Sequence, residues 1–304
     1  MTGIVMRSTG SFYDVLTDDG RRYNCRVRGK IRLDGIKETN PVAVGDVVRI
    51  DVEQDIGSIL EILPRKNHML RQSVKKTGHA HVLASNIDQV VLIVTLAFPR
   101  TSLGFIDRAL ISAEAFGIPQ VLVFNKRDLL DAREIEICES LMSVYENIGV
   151  KCKLISALDP DQQVVKEIIK DKTSLVTGHS GVGKSTLLNK ISPVIRQSTG
   201  SVSGFSEKGT HTTTFAEMFQ LDPKTFVIDT PGIKEWGLVD MSPAEVSDYF
   251  PEIRAIRGQC KFQSRCLHIN EPKCAVRDAV ENGLIAASRY ESYVSILEGN
   301  DNRR

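Results

Sequence analysis

Long hydrophobic runs, a large net charge and an apolar leader are all missing from this sequence of 304 residues. The longest apolar run, 90–98, has the length of a strand, well short of the roughly 18 residues that a membrane-spanning helix needs. The first residues lack the apolar core of a signal peptide, so we expect a cytoplasmic protein without a membrane partner. Because 39 basic residues are balanced by 38 acidic ones, a uniformly basic nucleic-acid-binding protein is excluded.

Strand and helix patterns divide the sequence into three parts. Residues 1–68 contain five short β-favouring runs separated by turn residues, which predicts a small barrel of the OB type. From about residue 86, buried strands alternate with amphipathic helices, which predicts a mostly parallel sheet in a domain spanning 69–236. Helical patterns and a Cys/His-rich stretch fill 237–304. The expected fold is a multidomain α/β protein with a barrel, a central α/β domain and a C-terminal helical domain.

A phosphate-binding loop is the clearest motif of the central domain. Residues 178–185 fit GxxxxGK[ST] between a predicted strand and a predicted helix, a context that makes a chance glycine-rich turn the weaker alternative. The glycines let backbone N–H groups face phosphates, while Lys184 reaches the β and γ phosphates and Ser185 binds Mg²⁺. The predicted phosphate-binding residues are Gly178, His179, Ser180, Gly181, Val182, Gly183, Lys184, Ser185 and Thr186.

A second phosphate-side motif, Asp-Thr-Pro-Gly, ends a predicted strand about 45 residues after the loop. Asp229 is predicted to hold Mg²⁺ through a water, and the backbone N–H of Gly232 to sense a γ phosphate. The tetrapeptide alone is weak, because an ordinary strand-to-turn exit has the same appearance. Its position in the same α/β pattern favours the functional interpretation.

The sequence Asn125-Lys126-Arg127-Asp128 ends another buried strand and fits the recognition of guanine. The Asp128 carboxylate can accept from both N1–H and the exocyclic amine, a donor pair that adenine does not present. Asn125 can bond the acceptor edge of the base, and the Lys126 stem can cover its face. Ser156 and Ala157, after the next strand, are predicted to close the other side with a backbone N–H towards O6. Ligands of open α/β sheets bind at such carboxyl ends.

The order of these motifs is unusual, because the base-reading motif precedes the phosphate loop. In most GTPases the phosphate loop comes first. The same strands can form the same sheet if the chain is cut and rejoined at another loop, since spatial neighbours make the site. We therefore predict a circularly permuted P-loop GTPase domain.

A polar stretch, 198–214, separates the phosphate-loop helix from the Asp-Thr-Pro-Gly motif. Ras-like enzymes orient the attacking water with a Gln after this motif, but Ile233 stands here and cannot bond a water. His211 is our candidate for that task, the alternative being a solvated loop histidine. Thr213 is the predicted Mg²⁺ ligand among three consecutive threonines.

Three cysteines and a histidine lie within fifteen residues of the C-terminal part: Cys260, Cys266, His268 and Cys274. Zn²⁺ prefers four such ligands in a tetrahedron, and a closed set indicates a structural ion. Disulfides are disfavoured in a cytosolic chain, which leaves one bound Zn²⁺ or free thiols as alternatives.

Together, the barrel, the permuted motif order, His211 with its threonines and the zinc spacing resemble the RsgA/YjeQ-type small ribosomal subunit biogenesis GTPases. The resemblance covers nearly the whole chain. It implies a GTPase that is stimulated by the bacterial 30S subunit, acts late in its maturation and binds 16S rRNA through the flanking domains. It also implies that His211 is the catalytic residue. Thr210 departs from the family, which usually has Arg there.

Clustered positive charge offers a nucleic-acid surface despite the neutral total. One run spans twelve residues without Asp or Glu, and two further runs lie at 65–76 and 254–277. Any one run can be a merely solvated face, but three beside a barrel and a zinc module favour phosphate contacts. The predicted RNA-binding residues are Arg21, Arg22, Arg26, Arg28, Lys30 and Arg32.

Three functions stay open on the residues alone. They are a ribosome-activated GTPase, an RNA-binding guanine-nucleotide sensor with negligible turnover, and an ATPase or small-molecule kinase, which Asp128 disfavours. The sensor stays an alternative because Ile233 cannot orient an attacking water. No coiled-coil or other dimer seam is evident, so we expect a monomer.

Overall fold

The computed structural model describes residues 1–28, 41–53, 55–72, 80–195, 216–230 and 241–299. Within these ranges, no helix is both long enough and apolar enough to span a bilayer. Five of the residues predicted above lie outside the described residues: Lys30, Arg32, His211, Thr213 and Gly232.

The first five strands form a closed barrel. Their bounds are β1 Thr2–Ser8, β2 Tyr13–Thr17, β3 Arg22–Val27, β4 Val47–Glu53 and β5 Ile56–Ile62. They pair in the order β1-β2-β3-β5-β4, and β4 returns to β1. β3 and β5 run parallel while the other pairs are antiparallel. Alternate side chains such as Val5, Val15 and Ile59 fill the interior, so the predicted OB-type barrel is confirmed.

A hairpin follows the barrel, in the stretch that contains the second basic run. Strands β6 His68–Gln72 and β7 Ala80–Ser85 pair antiparallel. Inward-facing Met69 and Ala84 join the core of the central domain. These apolar residues pack against partners far along the chain, which the sequence pattern did not reveal.

The central sheet has the strand order β10-β9-β8-β11-β13-β12, which continues through β12 into β1 of the barrel. The strands are β8 Gln89–Val94, β9 Gln120–Phe124, β10 Lys151–Leu154, β11 Thr173–Gly178, β12 Glu217–Gln220 and β13 Phe226–Asp229. All pairs among them are parallel except β12 with β13. β8 lies beside β11, although two other strands separate them along the chain. This order brings together the carboxyl ends that carry the nucleotide motifs.

Helices cover both faces of this sheet. They are α1 Leu103–Glu114, α2 Ala132–Glu146, α3 Gln163–Ile169 and α4 Lys184–Ile191. α1 and α2 pack on one face through residues such as Ile106 and Tyr145. α3 and α4 pack on the other through Val165 and Leu187. The predicted α/β layering is confirmed.

The C-terminal part is helical, with α5 Pro243–Val246, α6 Pro251–Ile256, α7 Ala275–Glu281 and α8 Ala287–Leu297. Its own core contains Phe250, Ile253 and Tyr293 together with the three cysteines, and it also includes Ile111 from α1. The helical domain is thus built around the Cys/His cluster and lies against the central domain.

Candidate nucleotide and metal sites

The phosphate loop joins the end of β11 to the start of α4. Gly181 and Gly183 adopt left-handed backbone angles, with φ of 85° and 91°. A Cβ on Gly183 would also overlap the Asn125 side chain, so only glycine fits there. Val182 is fully buried and anchors the loop, while Ser180 and Gly181 are exposed at its tip. Ser185 and Thr186 stand in the first turn of α4.

The two phosphate-side motifs meet in a buried ion pair. Lys184 donates to the Asp229 carboxylate and, at 2.5 Å, to the Thr230 carbonyl. Both charged side chains are at least nine-tenths buried. The parallel register places Val176 of β11 opposite Asp229 of β13, which explains how residues so far apart in sequence touch.

Asn125 ties three loops together. Its amide Nδ2 donates to the Val182 carbonyl of the phosphate loop at 2.7 Å, and its Oδ1 accepts the Ala157 N–H at 2.8 Å. Sequence reasoning expected Asn125 to face the base edge and a backbone N–H at Ser156–Ala157 to face O6. The structure shows the Asn125 amide oxygen on the Ala157 N–H, so Asn125 also holds the loops in register, and its contact with the base stays a prediction.

The base-reading side chains are held from both sides. Lys126 has a left-handed φ of 68°, and its Nζ donates to the Phe98 carbonyl. Asp128 is exposed, and one of its carboxylate oxygens accepts from the Ser156 hydroxyl. Arg127 is also exposed, with its backbone N–H on the Ile155 carbonyl. The structure therefore brings 125–128 and 156–157 together with the phosphate loop.

Sequence reasoning missed three further residues that support the site. Buried Gln162 donates to the Ser156 and Asp159 carbonyls at 3.0 and 2.9 Å. Lys190 of α4 donates to the Leu158 carbonyl, which clamps the same loop against the phosphate-loop helix. The ring of Phe105 lies 3.6 Å from that of His179, centroid to centroid. Burial lowers the pKa of His179, which keeps its imidazole neutral at pH 7.

The metal-ligating residues form one buried cluster, with their ligand atoms within 4.8 Å of one another. Cys260 Sγ lies 3.8 Å from Cys274 Sγ, and His268 Nδ1 lies 3.5 and 3.4 Å from these two sulfurs. Ligand bonds of about 2.3 Å to sulfur in a tetrahedron give sulfur–sulfur edges of about 3.8 Å. The residues therefore fit a structural Zn²⁺.

Neighbouring groups fix the loop that carries His268. Tyr290 and Tyr293 of α8 donate their hydroxyls to the His268 and Leu267 carbonyls at 2.7 and 2.9 Å. The Glu271 carboxylate accepts N–H groups from residues 267, 269 and 270. This acid therefore fixes the backbone of the loop around His268.

The described arginines of the first basic run are exposed, and two lie on the outward side of β3. Arg22 and Arg26 alternate with inward-facing residues on β3, and Arg28 continues the outward side. The Arg26 guanidinium lies over the Phe12 ring at 4.3 Å. Arg21 is exposed next to Asp19, at 3.6 Å.

Three arginines of the other two runs form ion pairs within the protein. Arg65 pairs with buried Asp46 at 2.7 Å. Arg254 pairs with Glu114 at 2.9 Å, and Arg257 pairs with Asp248. These partners are distant in sequence or lie just outside the run, so a local count of charges did not reveal them.

A parallel sheet with a phosphate loop at its centre and a guanine-type recognition loop on the neighbouring strands defines a circularly permuted GTPase domain. Comparison with known proteins agrees. The family model described as RsgA GTPase matches residues 62–239, and the RsgA N-terminal domain matches 2–59. The chain belongs to the RsgA GTPase family.

Relatives of similar length resemble the chain throughout. The small ribosomal subunit biogenesis GTPase RsgA of Flavobacterium psychrophilum is 47% identical over 99% of this chain and 94% of its own. That of Cytophaga hutchinsonii is 47% identical over the full length of both. Among solved structures, YjeQ from Thermotoga maritima has a TM-score of 0.77 at 35% identity, covering 100% of this chain and 99% of its own. YloQ, a circularly permuted GTPase, has a TM-score of 0.74 at 32% identity, covering 100% and 96%.

Proposed function

We propose that this protein hydrolyses GTP to GDP and phosphate in the late assembly of the small ribosomal subunit, and that the 30S subunit stimulates the reaction. One observation carries the nucleotide part: the permuted strand order places Asn125 of the base-reading loop in direct contact with the phosphate loop. A base and its phosphates can therefore be held by adjoining loops. The names of the relatives support the ribosomal part.

Guanine selection falls to Asp128. Its carboxylate is exposed at the carboxyl edge of the sheet and held by Ser156, so it can accept the two donors of guanine. Lys126 covers the ring with its stem, and Arg127 flanks the loop. Asn125 and Ala157 contact the base as well, and the hydrogen bond between them holds the two loops in register.

The phosphates bind along residues 178–186, with backbone N–H groups and the N-terminus of α4 facing them. On binding, Lys184 exchanges Asp229 and the Thr230 carbonyl for phosphate oxygens. The Asp229 carboxylate then holds Mg²⁺ through a water, while the Ser185 hydroxyl and Thr213 supply oxygen ligands of the kind that Mg²⁺ prefers. Bound Mg²⁺ would neutralise charge on the β and γ phosphates.

His211 orients the attacking water, and the Gly232 N–H contacts the γ phosphate. Both lie outside the described residues, so the sequence supports these roles: Ile233 cannot serve where Ras-like enzymes use Gln. Slow turnover of the isolated protein follows, because a site completed by a loop needs that loop held in place.

The flanking domains contact 16S rRNA. Arg21, Arg22, Arg26 and Arg28 are exposed on the barrel, and Lys30 and Arg32 extend the run in sequence. One structural Zn²⁺ on Cys260, Cys266, His268 and Cys274 stabilises the helical domain. We propose the division 1–68, 69–236 and 237–304, a monomeric state and a cytoplasmic location.

Turnover measured with and without purified 30S subunits tests this function. We expect GTP hydrolysis to rise at least tenfold with 30S, and His211→Ala to lose that rise while binding GDP as the wild type does. Thr210→Ala serves as the matched loop control and should keep the stimulation. An unchanged rate with 30S would contradict the ribosomal role, and stimulated turnover in His211→Ala would contradict the role of His211.

A further inference from the structure

An exposed aromatic residue, Phe98, lies in a loop that contacts the nucleotide motifs, and none of those motifs accounts for it. Phe98 follows β8 and is 67% exposed, the highest exposure of any phenylalanine among the described residues. Its φ of 57° lies in the left-handed region, where a bulky residue is rarely found. Such backbone is kept where the surrounding structure holds it and often serves a site.

The segment that carries Phe98 is held firmly at both ends. Buried Thr95 donates its hydroxyl to the Pro99 carbonyl at 2.5 Å. The Thr95 N–H donates to the Thr101 hydroxyl at 3.1 Å, and the Thr101 N–H returns to the Thr95 carbonyl at 2.9 Å. The ring is therefore presented by a closed loop rather than by a free end.

The same dipeptide contacts both halves of the nucleotide site. The Phe98 carbonyl accepts from Nζ of Lys126 in the base-reading loop. Pro99 lies against the apex of the phosphate loop, where a Cβ added to Gly181 would be 3.3 Å from its Cδ. The ribose lies between the base and its phosphates, so the Phe98–Pro99 backbone lies beside the place that a bound nucleoside would take.

We propose that the Phe98 ring covers the nucleoside of the bound guanine nucleotide, at the ribose and the adjoining edge of the base, and slows its release. This inference rests on the proposed nucleotide binding. Desolvation of sugar and base by an aromatic ring adds to the affinity without reading the base, because every nucleoside presents such a surface. Recognition of guanine stays with Asp128.

Unlabelled GDP titrated calorimetrically into the full-length protein tests the proposal, since a fluorophore on the ribose would meet the same ring. Phe98→Ala should weaken GDP and GTP by the same factor, about tenfold, because both share the nucleoside. Phe98→Trp should restore the affinity to within about twofold, since it keeps an aromatic face. Leu284→Ala, which removes a 76% exposed apolar side chain from the helical domain, is the matched control and should bind as the wild type does.

The outcomes distinguish the role of Phe98 from nucleotide binding itself. If the wild type binds GDP and Phe98→Ala binds it equally well, the role of Phe98 is overturned. Failure of Phe98→Trp to restore the affinity, with thermal unfolding unchanged, would also overturn it. If the wild type itself does not bind GDP, the proposed nucleotide function fails instead.

Discussion

Buried ion pairs lie at both boundaries of the central domain and differ in completeness. On the barrel side, Asp46 accepts four hydrogen bonds: two from Arg65, one from Ser85 and one from the Ala43 N–H, at 2.6–2.8 Å. On the zinc side, Arg289 of α8 bonds Asp107 of α1 at 2.6 Å and Glu252 of α6 at 2.7 Å.

The zinc-side cluster carries more charge and is less fully bonded. Its two carboxylates face one guanidinium, and Arg289 is 1% exposed between the rings of Phe250 and Tyr145. The Tyr145 hydroxyl donates to Asp107 Oδ1, but Asp107 Oδ2 has no partner among the described residues. Removing the arginine would therefore leave more uncompensated charge than breaking the barrel pair.

The two boundary clusters also differ in their position relative to the nucleotide loops. Ser85 and its neighbour Asn86, which bonds the Gly45 carbonyl, precede β8 at the end remote from the nucleotide loops. Asp107 stands two residues from Phe105, whose ring contacts His179 of the phosphate loop. The zinc domain is thus connected to the nucleotide site through α1, whereas the barrel is fixed to the amino end of the sheet.

The largest effect is expected at Arg289. Arg289→Met keeps much of the volume but buries two carboxylates without their partner, which should lower the free energy of unfolding by about 3–5 kcal/mol. Urea titrations followed by circular dichroism measure it. Arg254→Met is the matched control, because its pair with Glu114 of α1 is partly exposed and should contribute little. Equal losses in both variants would contradict the distinction.

A smaller effect is expected at the barrel junction. Asp46→Asn preserves the shape of the side chain but removes the negative charge that pairs with Arg65. In the same titration it should lower the free energy of unfolding by about 1.5–3 kcal/mol. Glu61→Gln, which breaks an exposed pair with Arg49, should change little. Asp46→Asn should also leave the affinity for GDP unchanged, whereas Arg289→Met should lower it through α1. A reversed order of the two affinities would refute the proposed connection.

Sequence patterns predicted the barrel, the permuted sheet and the main motifs because each depends on local spacing. Gly183 and Lys184 follow from the phosphate-loop motif, and Cys260 to Cys274 from the donor chemistry of zinc. Strand β12 and the β6–β7 hairpin were missed, because strands as short as these show little hydrophobic periodicity.

Contacts between distant residues could not be predicted in the same way. Both polar ends of Asn125 are used within the protein, and this depends on the loops at 157 and 182 meeting it. Arg254 finds Glu114, 140 residues away, so its positive charge is not available as the sequence suggested. Phe98 belongs to no motif, and only the fold places it beside Lys126 and Gly181.

Base selection by Asp128 tests the central claim most directly. Calorimetry should show that the wild type binds GDP much more tightly than ADP, and that Asp128→Asn loses about a hundredfold or more in affinity for GDP. The same variant should gain affinity for xanthosine diphosphate, whose O2 accepts from the new amide. Equal binding of ADP and GDP by the wild type, or undiminished GDP binding by Asp128→Asn, would contradict a guanine-nucleotide enzyme.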